Sequence, residues 1–133
     1  MSALAELTAR VDESLRPYAV PEPGEGELEG RVPDPVRAFV LEAVREGYLL
    51  HYGEPRAFAG MDEDLRLLAG DALYALGLAG LAEVGDLAAV AELANLISRC
   101  AQAESEGRRD GVPDLWRSSA EALARGLPAG ANR

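Results

Sequence analysis

A carboxylate set in the middle of an apolar run is the residue of this chain with most to explain. Asp71 is the only charged residue between Leu67 and Ala82. An ionised carboxylate in apolar surroundings must find a charged or hydrogen-bonding partner, or take up a proton. One resolution is a ligand or metal contact inside a helical core; the other is a buried bond to an arginine or to a neighbouring helix end. Structural ion pairs perturb carboxylates as well as functional ones do, so the buried bond is the expected resolution.

The other reactive side chains are sparse. Asp62, Glu63 and Asp64 offer oxygen ligands of the kind Mg²⁺ prefers. Successive residues point in different directions, however, and acids at the start of a helix are explained by capping and the helix dipole. Asp62 and Asp64 are the metal candidates that remain. His51 is the only histidine and Cys100 the only cysteine, too few for a zinc-type site. No motif brings a serine or cysteine to His51, which reads as a turn residue beside Tyr48 and Tyr52. Cys100 shares a helical face with Leu93 and Leu96 and reads as a core thiol. Arg99, on a polar stripe, joins Asp71 and His51 as a ligand-binding candidate. Gly70, Gly77 and Gly80 lie within a helical pattern and not between a strand and a helix, so they do not form a phosphate loop. The reading is of no catalytic constellation and no cofactor.

Composition narrows the partners. The chain has 133 residues and a net charge of −10, from 23 acidic and 13 basic residues. Every basic residue is an arginine, a usage we read as the mark of a GC-rich bacterial genome. Nucleic-acid binding needs several cations placed against successive phosphates, and the only adjacent pair is Arg108-Arg109. Free DNA or RNA is therefore not expected, and the acidic surplus disfavours anionic lipid surfaces. The lone cysteine and the lack of a leader-like opening before Leu4 lead us to expect a cytoplasmic protein.

The elements that must position these residues are helical throughout, and we expect a single all-α domain, a bundle of about five helices around a buried helical hairpin. Leu4, Leu7, Val11, Leu15 and Tyr18 predict an amphipathic first helix over residues 1–19, with Ser2 as its N-cap. Residues 20–33, rich in proline, glycine and glutamate, read as a mobile acidic linker. The bundle proper should span residues 34–127, with a frayed tail at 128–133. Asp34-Pro35 predicts the start of a second helix running to about Leu50, its Arg37, Glu42, Arg45 and Glu46 on the surface. Asp62 caps a third. From Leu67 to Ala82 that helix is apolar on every side, which predicts burial on every side, and its three glycines predict close helix contacts. A membrane span needs about 20 apolar residues and would bury a central Asp at a cost of roughly 2.5–3.5 kcal/mol, so a soluble helix is expected. Gly85-Asp86 predicts a tight turn into a fourth helix, whose polar stripe is Glu92, Asn95, Arg99, Gln102 and Glu106. Pro113-Asp114 opens a fifth, with Trp116, Ala120, Leu123 and Leu127 in register and Gly126 as its C-cap.

Two resemblances follow from these helices. The run Leu67-Leu-Ala-Gly-Asp-Ala-Leu-Tyr-Ala-Leu76 resembles the L-A-G-D-x-L helix of the trans-isoprenyl diphosphate synthases, over about a quarter of the chain. In that family two D-D-x-x-D motifs hold Mg²⁺ and diphosphate; neither is present, and Tyr48-Leu-Leu-His-Tyr-Gly53 stands where the first would fall. The resemblance implies a noncatalytic small subunit of such a synthase, or a Mg²⁺-diphosphate contact through Asp71 and the Asp62 to Asp64 cluster. Ala72 to Ala79 with Gly85, Asp86 and Ala89 also looks like one tetratricopeptide repeat, but stacked repeats need about three copies. The function expected first is a noncatalytic helical subunit or interaction module that oligomerises or binds a partner protein. The alternative is a polyprenyl-diphosphate-synthase-like small subunit.

Overall fold

Side chains cap four helix starts at the positions the sequence marks. Ser2 accepts from the Ala5 N–H, Asp34 from Val36 and Arg37, Asp62 from Leu65, and Asp86 from Ala89. Each satisfies N–H groups that the first turn of a helix leaves without intrahelical partners. The computed structural model describes residues 1–125. Within them lie five α-helices, α1 (Ala3–Arg10), α2 (Pro35–Tyr52), α3 (Glu63–Glu83), α4 (Leu87–Ser105) and α5 (Val112–Ala124), with 3₁₀ turns at Glu13–Tyr18, Glu29–Arg31 and Arg109–Gly111. The fold is all-α; extended pairing among the described residues is limited to an isolated bridge between Ala19 and Phe58. The expected Gly126 cap, Leu127 and the tail at 128–133 lie outside the described residues.

The centre of the bundle is α2, which corrects the expectation that α3 fills it. Twelve of the 18 residues of α2 are buried, against five of the 21 in α3. Directions follow from the contacts. Val40 and Gly47 of α2 meet Gly77 and Gly70 of α3, so these two helices run antiparallel. Arg37 meets Asp86, and Tyr48 meets Glu104, so α4 runs parallel to α2. Arg37 also reaches the Leu123 carbonyl while Trp116 packs on Tyr48, which sets α5 antiparallel. With α1 on a further side and Arg10 stacked over the Phe39 ring, α2 is enclosed all round. Then α4 buries only Ala89, Leu93, Leu96, Cys100 and Ala103. It keeps an ordinary wet face, where a nearly all-round apolar burial was expected.

Three arginines knit this arrangement together. Arg37 donates through Nε to Asp86 Oδ2 at 2.6 Å and through Nη1 to the Leu123 carbonyl at 3.0 Å, joining the start of α4 to the end of α5. Arg66 of α3 donates to the carbonyls of Leu50, Leu49 and Gly53, covering the C-terminal end of α2, the negative end of its dipole. Arg56 inserts between Glu42 and Glu46, both fully buried. Of the four α2 charges expected on the surface, Arg37, Glu42 and Glu46 are thus inside. A guanidinium, with five donors in a fixed fork, makes several such bonds from one side chain.

The buried carboxylates also explain residues 20–33, which are docked on the bundle and do not run as a mobile linker. Glu42 Oε2 accepts from the backbone N–H groups of Leu28 (2.6 Å) and Glu29 (2.8 Å), while Leu28 and Val32 bury their side chains. Gly26 passes so close that a Cβ there would stand 2.2 Å from the Glu42 carboxyl. Glu46 Oε2 does the same for the next connection, accepting from Arg56 N (2.8 Å) and Ala57 N (2.7 Å). The amphipathic pattern of residues 1–19 buries Leu4, Leu7, Val11 and Leu15 as expected, yet not along one helix. Asp12 accepts from the Ser14 N–H and turns the chain into the 3₁₀ segment.

Candidate functional site

The seam between α2 and α3 gathers two of the three expected ligand-binding residues. At its narrowest point the two backbones touch: a Cβ on Gly70 would lie 2.9 Å from the Gly47 carbonyl, and a Cβ on Gly47 would lie 2.9 Å from the Gly70 carbonyl. The close approach inferred from glycine therefore holds at Gly70. It holds more loosely at Gly77, whose Cβ would meet Val40 at 3.1 Å, and not at Gly80, where the nearest atom is 3.9 Å away. The space over Gly70 is filled by the His51 ring, its Cδ2 only 2.3 Å from where a Cβ would stand. His51 Nε2 is 3.0 Å from the Leu67 carbonyl and 3.3 Å from Asp71 Oδ1. A carbonyl only accepts, so Nε2 carries the proton in this bond. Tyr52 and Tyr74 pack edge-on against the ring, at 5.8 and 5.2 Å between centroids.

Asp71 thus meets neither of its expected fates. Its side chain is 73% exposed, and its partner is a histidine rather than an arginine. The apolar run around it does not surround it, because α3 lies on the outside of the bundle. Asp62 and Asp64 are exposed, Asp62 occupied in capping α3, and no group of three or more His, Cys, Asp or Glu among the described residues is arranged to hold a metal ion. Arg99 is exposed on α4 and forms no ion pair among the described residues, standing apart from His51 and Asp71. Cys100 is buried as expected, and burial pushes its thiol up to about 11, against nucleophilic use. The Tyr48 and Tyr74 hydroxyls are also raised, chiefly by burial. Side chains of this kind hold structure more readily than they move protons at neutral pH.

What sequence reasoning missed is the outer surface of α3. Leu67 and Leu68 near the start of α3 and Val84 at its C-terminal end are three of the six large exposed hydrophobic residues, and a fourth, Leu87, opens α4. Between them Ala72, Ala75, Ala79 and Ala82 are also exposed. Leu68, Ala72, Ala75, Ala79 and Ala82 step by four, three, four and three, the a/d spacing of a helix seam. The signal was present in the sequence, but all-round hydropathy hid it. Beside this face, Val11 and Leu15 with Ala72, Leu73, Ala75 and Leu76 line an open apolar groove of about 330 Å³.

A second hollow, of about 210 Å³, lies where α2, α5 and residues 27–31 meet. Leu28, Pro113 and Trp116 form its apolar lining, and Arg31, Arg45, Arg117 and Glu27 its charged one. Arg45 stacks over the Trp116 ring at 5.0 Å and donates to Glu27 Oε1 at 2.8 Å.

Comparison with models of protein families, with curated proteins and with solved structures finds no match to this chain.

Proposed function

We propose that this chain is a noncatalytic helical module that pairs with a second copy of itself through the outer face of α3. The observation that carries the reading is that face: a helix of 21 residues with only five buried, its exposed side uncharged from Ala72 to Ala82. The face is self-complementary. Leu68 and Val84 are 16 residues apart, about 24 Å along a helix. An antiparallel pairing centred on Ala75 sets Leu67 and Leu68 of one copy against Ala82 and Val84 of the other, with the alanines allowing close approach between. It also separates the two Asp71 carboxylates and the two acidic N-terminal turns, which a parallel pairing would bring together.

The energetics fit a modest affinity. Covering six partly exposed Leu and Val side chains and the alanines between them contributes about 10 kcal/mol, against an association cost of about 4–15 kcal/mol. A dimer with a dissociation constant of about tens of micromolar or weaker is expected. A helix of this length and hydropathy also satisfies the composition of a membrane span. The exposed Asp71 and the acids at Asp62, Glu63, Asp64 and Glu83 favour a protein partner over lipid.

Sedimentation velocity across micromolar to submillimolar concentrations tests the reading. A dimer that dissociates on dilution, and that Ala75→Glu abolishes without loss of helical circular dichroism, is the expected result. A monomer throughout, a dimer indifferent to Ala75→Glu, or co-sedimentation with phosphatidylcholine vesicles in place of self-association would overturn it.

A further inference from the structure

We infer that the hollow between Arg31, Arg45, Arg117 and Trp116 binds the phosphate group of a small phosphomonoester. Charge is the first argument. On a chain of net charge −10, three guanidiniums line this hollow against one carboxylate, Glu27. Donor supply is the second. Arg31 makes no side-chain hydrogen bond or ion pair among the described residues, and Arg45 uses only Nε, leaving its terminal N–H groups open. Arg117 reaches Asp114 through one terminal nitrogen, with its other donors remaining. Guanidinium forks match phosphate oxygens geometrically, and bonds to an ionised acceptor are the strong ones.

The third argument is fixation. Arg45 is held by Glu27 on one side and by the Trp116 and Tyr48 rings, at 5.0 and 5.6 Å, on the other. A guanidinium already ordered loses less freedom when it binds. The space of about 210 Å³ exceeds a bare phosphate, and the Leu28, Pro113 and Trp116 wall suits a short organic group attached to it. Glu27 is the anion that the hollow already holds, half-exposed at its edge, paired with Arg45 at 2.8 Å and 4.0 Å from Arg56. A ligand phosphate therefore competes with Glu27 for Arg45.

Trp116 is the only tryptophan, so intrinsic fluorescence reads this hollow directly. Titration with glycerol phosphate and with inorganic phosphate, against sodium chloride of matched ionic strength, should give a saturable change with a dissociation constant of about 1 mM or tighter for at least one of them. Arg31→Ala should weaken binding about tenfold, the share of one charge-assisted bond. Glu27→Gln should tighten it severalfold by removing the competitor. Tighter binding of glycerol phosphate than of phosphate assigns the ester group a place on the apolar wall, and equal binding restricts the site to the phosphate itself. No saturable change, the same change with sodium chloride, or saturation unaltered by both substitutions would overturn the inference. Arg31 and Glu27 are at the surface, so the fold should survive both changes, and circular dichroism checks that it does.

Discussion

Replacing Glu42 by glutamine tests the central claim about the fold, that a buried carboxylate on α2 holds residues 20–33 in place. The substitution keeps the shape of the side chain and changes only its hydrogen-bonding inventory. Glu42 now accepts three bonds, two at Oε2 from Leu28 N and Glu29 N and one at Oε1 from Arg56 Nη1. Glutamine has one acceptor oxygen. If that oxygen keeps the backbone pair, its NH₂ group faces the Arg56 guanidinium, donor against donor; if it turns to Arg56, two backbone N–H groups lose their acceptor. Either way at least one charge-assisted bond is lost, worth about 1.5–3 kcal/mol, and a buried donor is left unpaired at a further 1–3 kcal/mol. Arg56 retains Glu46, which moderates the loss, so about 3 kcal/mol is expected for Glu42→Gln. With a urea slope of about 1.5–2 kcal/mol/M for a chain of this size, the unfolding midpoint should fall by about 1.5–2 M. Amide exchange at Leu28 and Glu29 should quicken more than in α4, since their acceptor is the one altered. A midpoint within 0.3 M of the parent, roughly 0.5 kcal/mol on the same slope, together with unchanged exchange at these two amides, would refute the reasoning.

Two further outcomes follow from the same geometry. Gly70→Ala should destabilise by about 2–3 kcal/mol despite its better helix propensity, because its methyl meets the His51 ring and the Gly47 carbonyl, whereas Gly80→Ala, with nothing closer than 3.9 Å, should stabilise by about 0.5–1 kcal/mol; thermal melts of the two variants should move in opposite directions. The Arg37 bond, with the Ala89 N–H assisting, holds the Asp86 carboxyl below its ordinary value. Its contribution to stability is thus full above the ordinary carboxylate range and is lost as pH falls through the lowered value. Asp86→Asn, which keeps a good N-cap, should be less stable at neutral pH and lose less on acidification, as measured by urea unfolding between pH 7 and pH 3.

The sequence made legible whatever is decided locally. Ser2, Asp34, Asp62 and Asp86 lie within three residues of the N–H groups they cap, so spacing alone found them. Gly85 at φ +75° ends α3 where expected, and Trp116, Ala120 and Leu123 face the core from α5. The identity of the central helix was not legible, because hydropathy reports what a helix could bury and not which neighbours are there to cover it. In α2 the charged residues looked like surface because their partners are remote. Glu42 is satisfied from 14 and 13 positions upstream and by Arg56 14 downstream, and no local pattern announces such partners. Asp71, expected inside the core, is exposed for the same reason: with Ala72 and Ala75 it faces outward from α3. His51, expected in a turn beside Tyr48 and Tyr52, lies in the last turn of α2 and packs on Tyr52 and Tyr74, and its bond to the Leu67 carbonyl depends on the glycine contact that brings the two helices together.

The two glutamates of α2 also bear on how the chain reaches its folded form. Before the connections dock, Glu42 and Glu46 are two carboxylates one turn apart on a hydrated helix, repelling each other mildly. Withdrawing them from water becomes favourable only when Arg56 and the four N–H groups of Leu28, Glu29, Arg56 and Ala57 arrive. A form with only one connection in place keeps part of the desolvation cost without its compensation. Docking of the two connections is therefore coupled through Arg56, and residues 20–33 should join the helices α2 and α3 in one cooperative step rather than by gradual annealing.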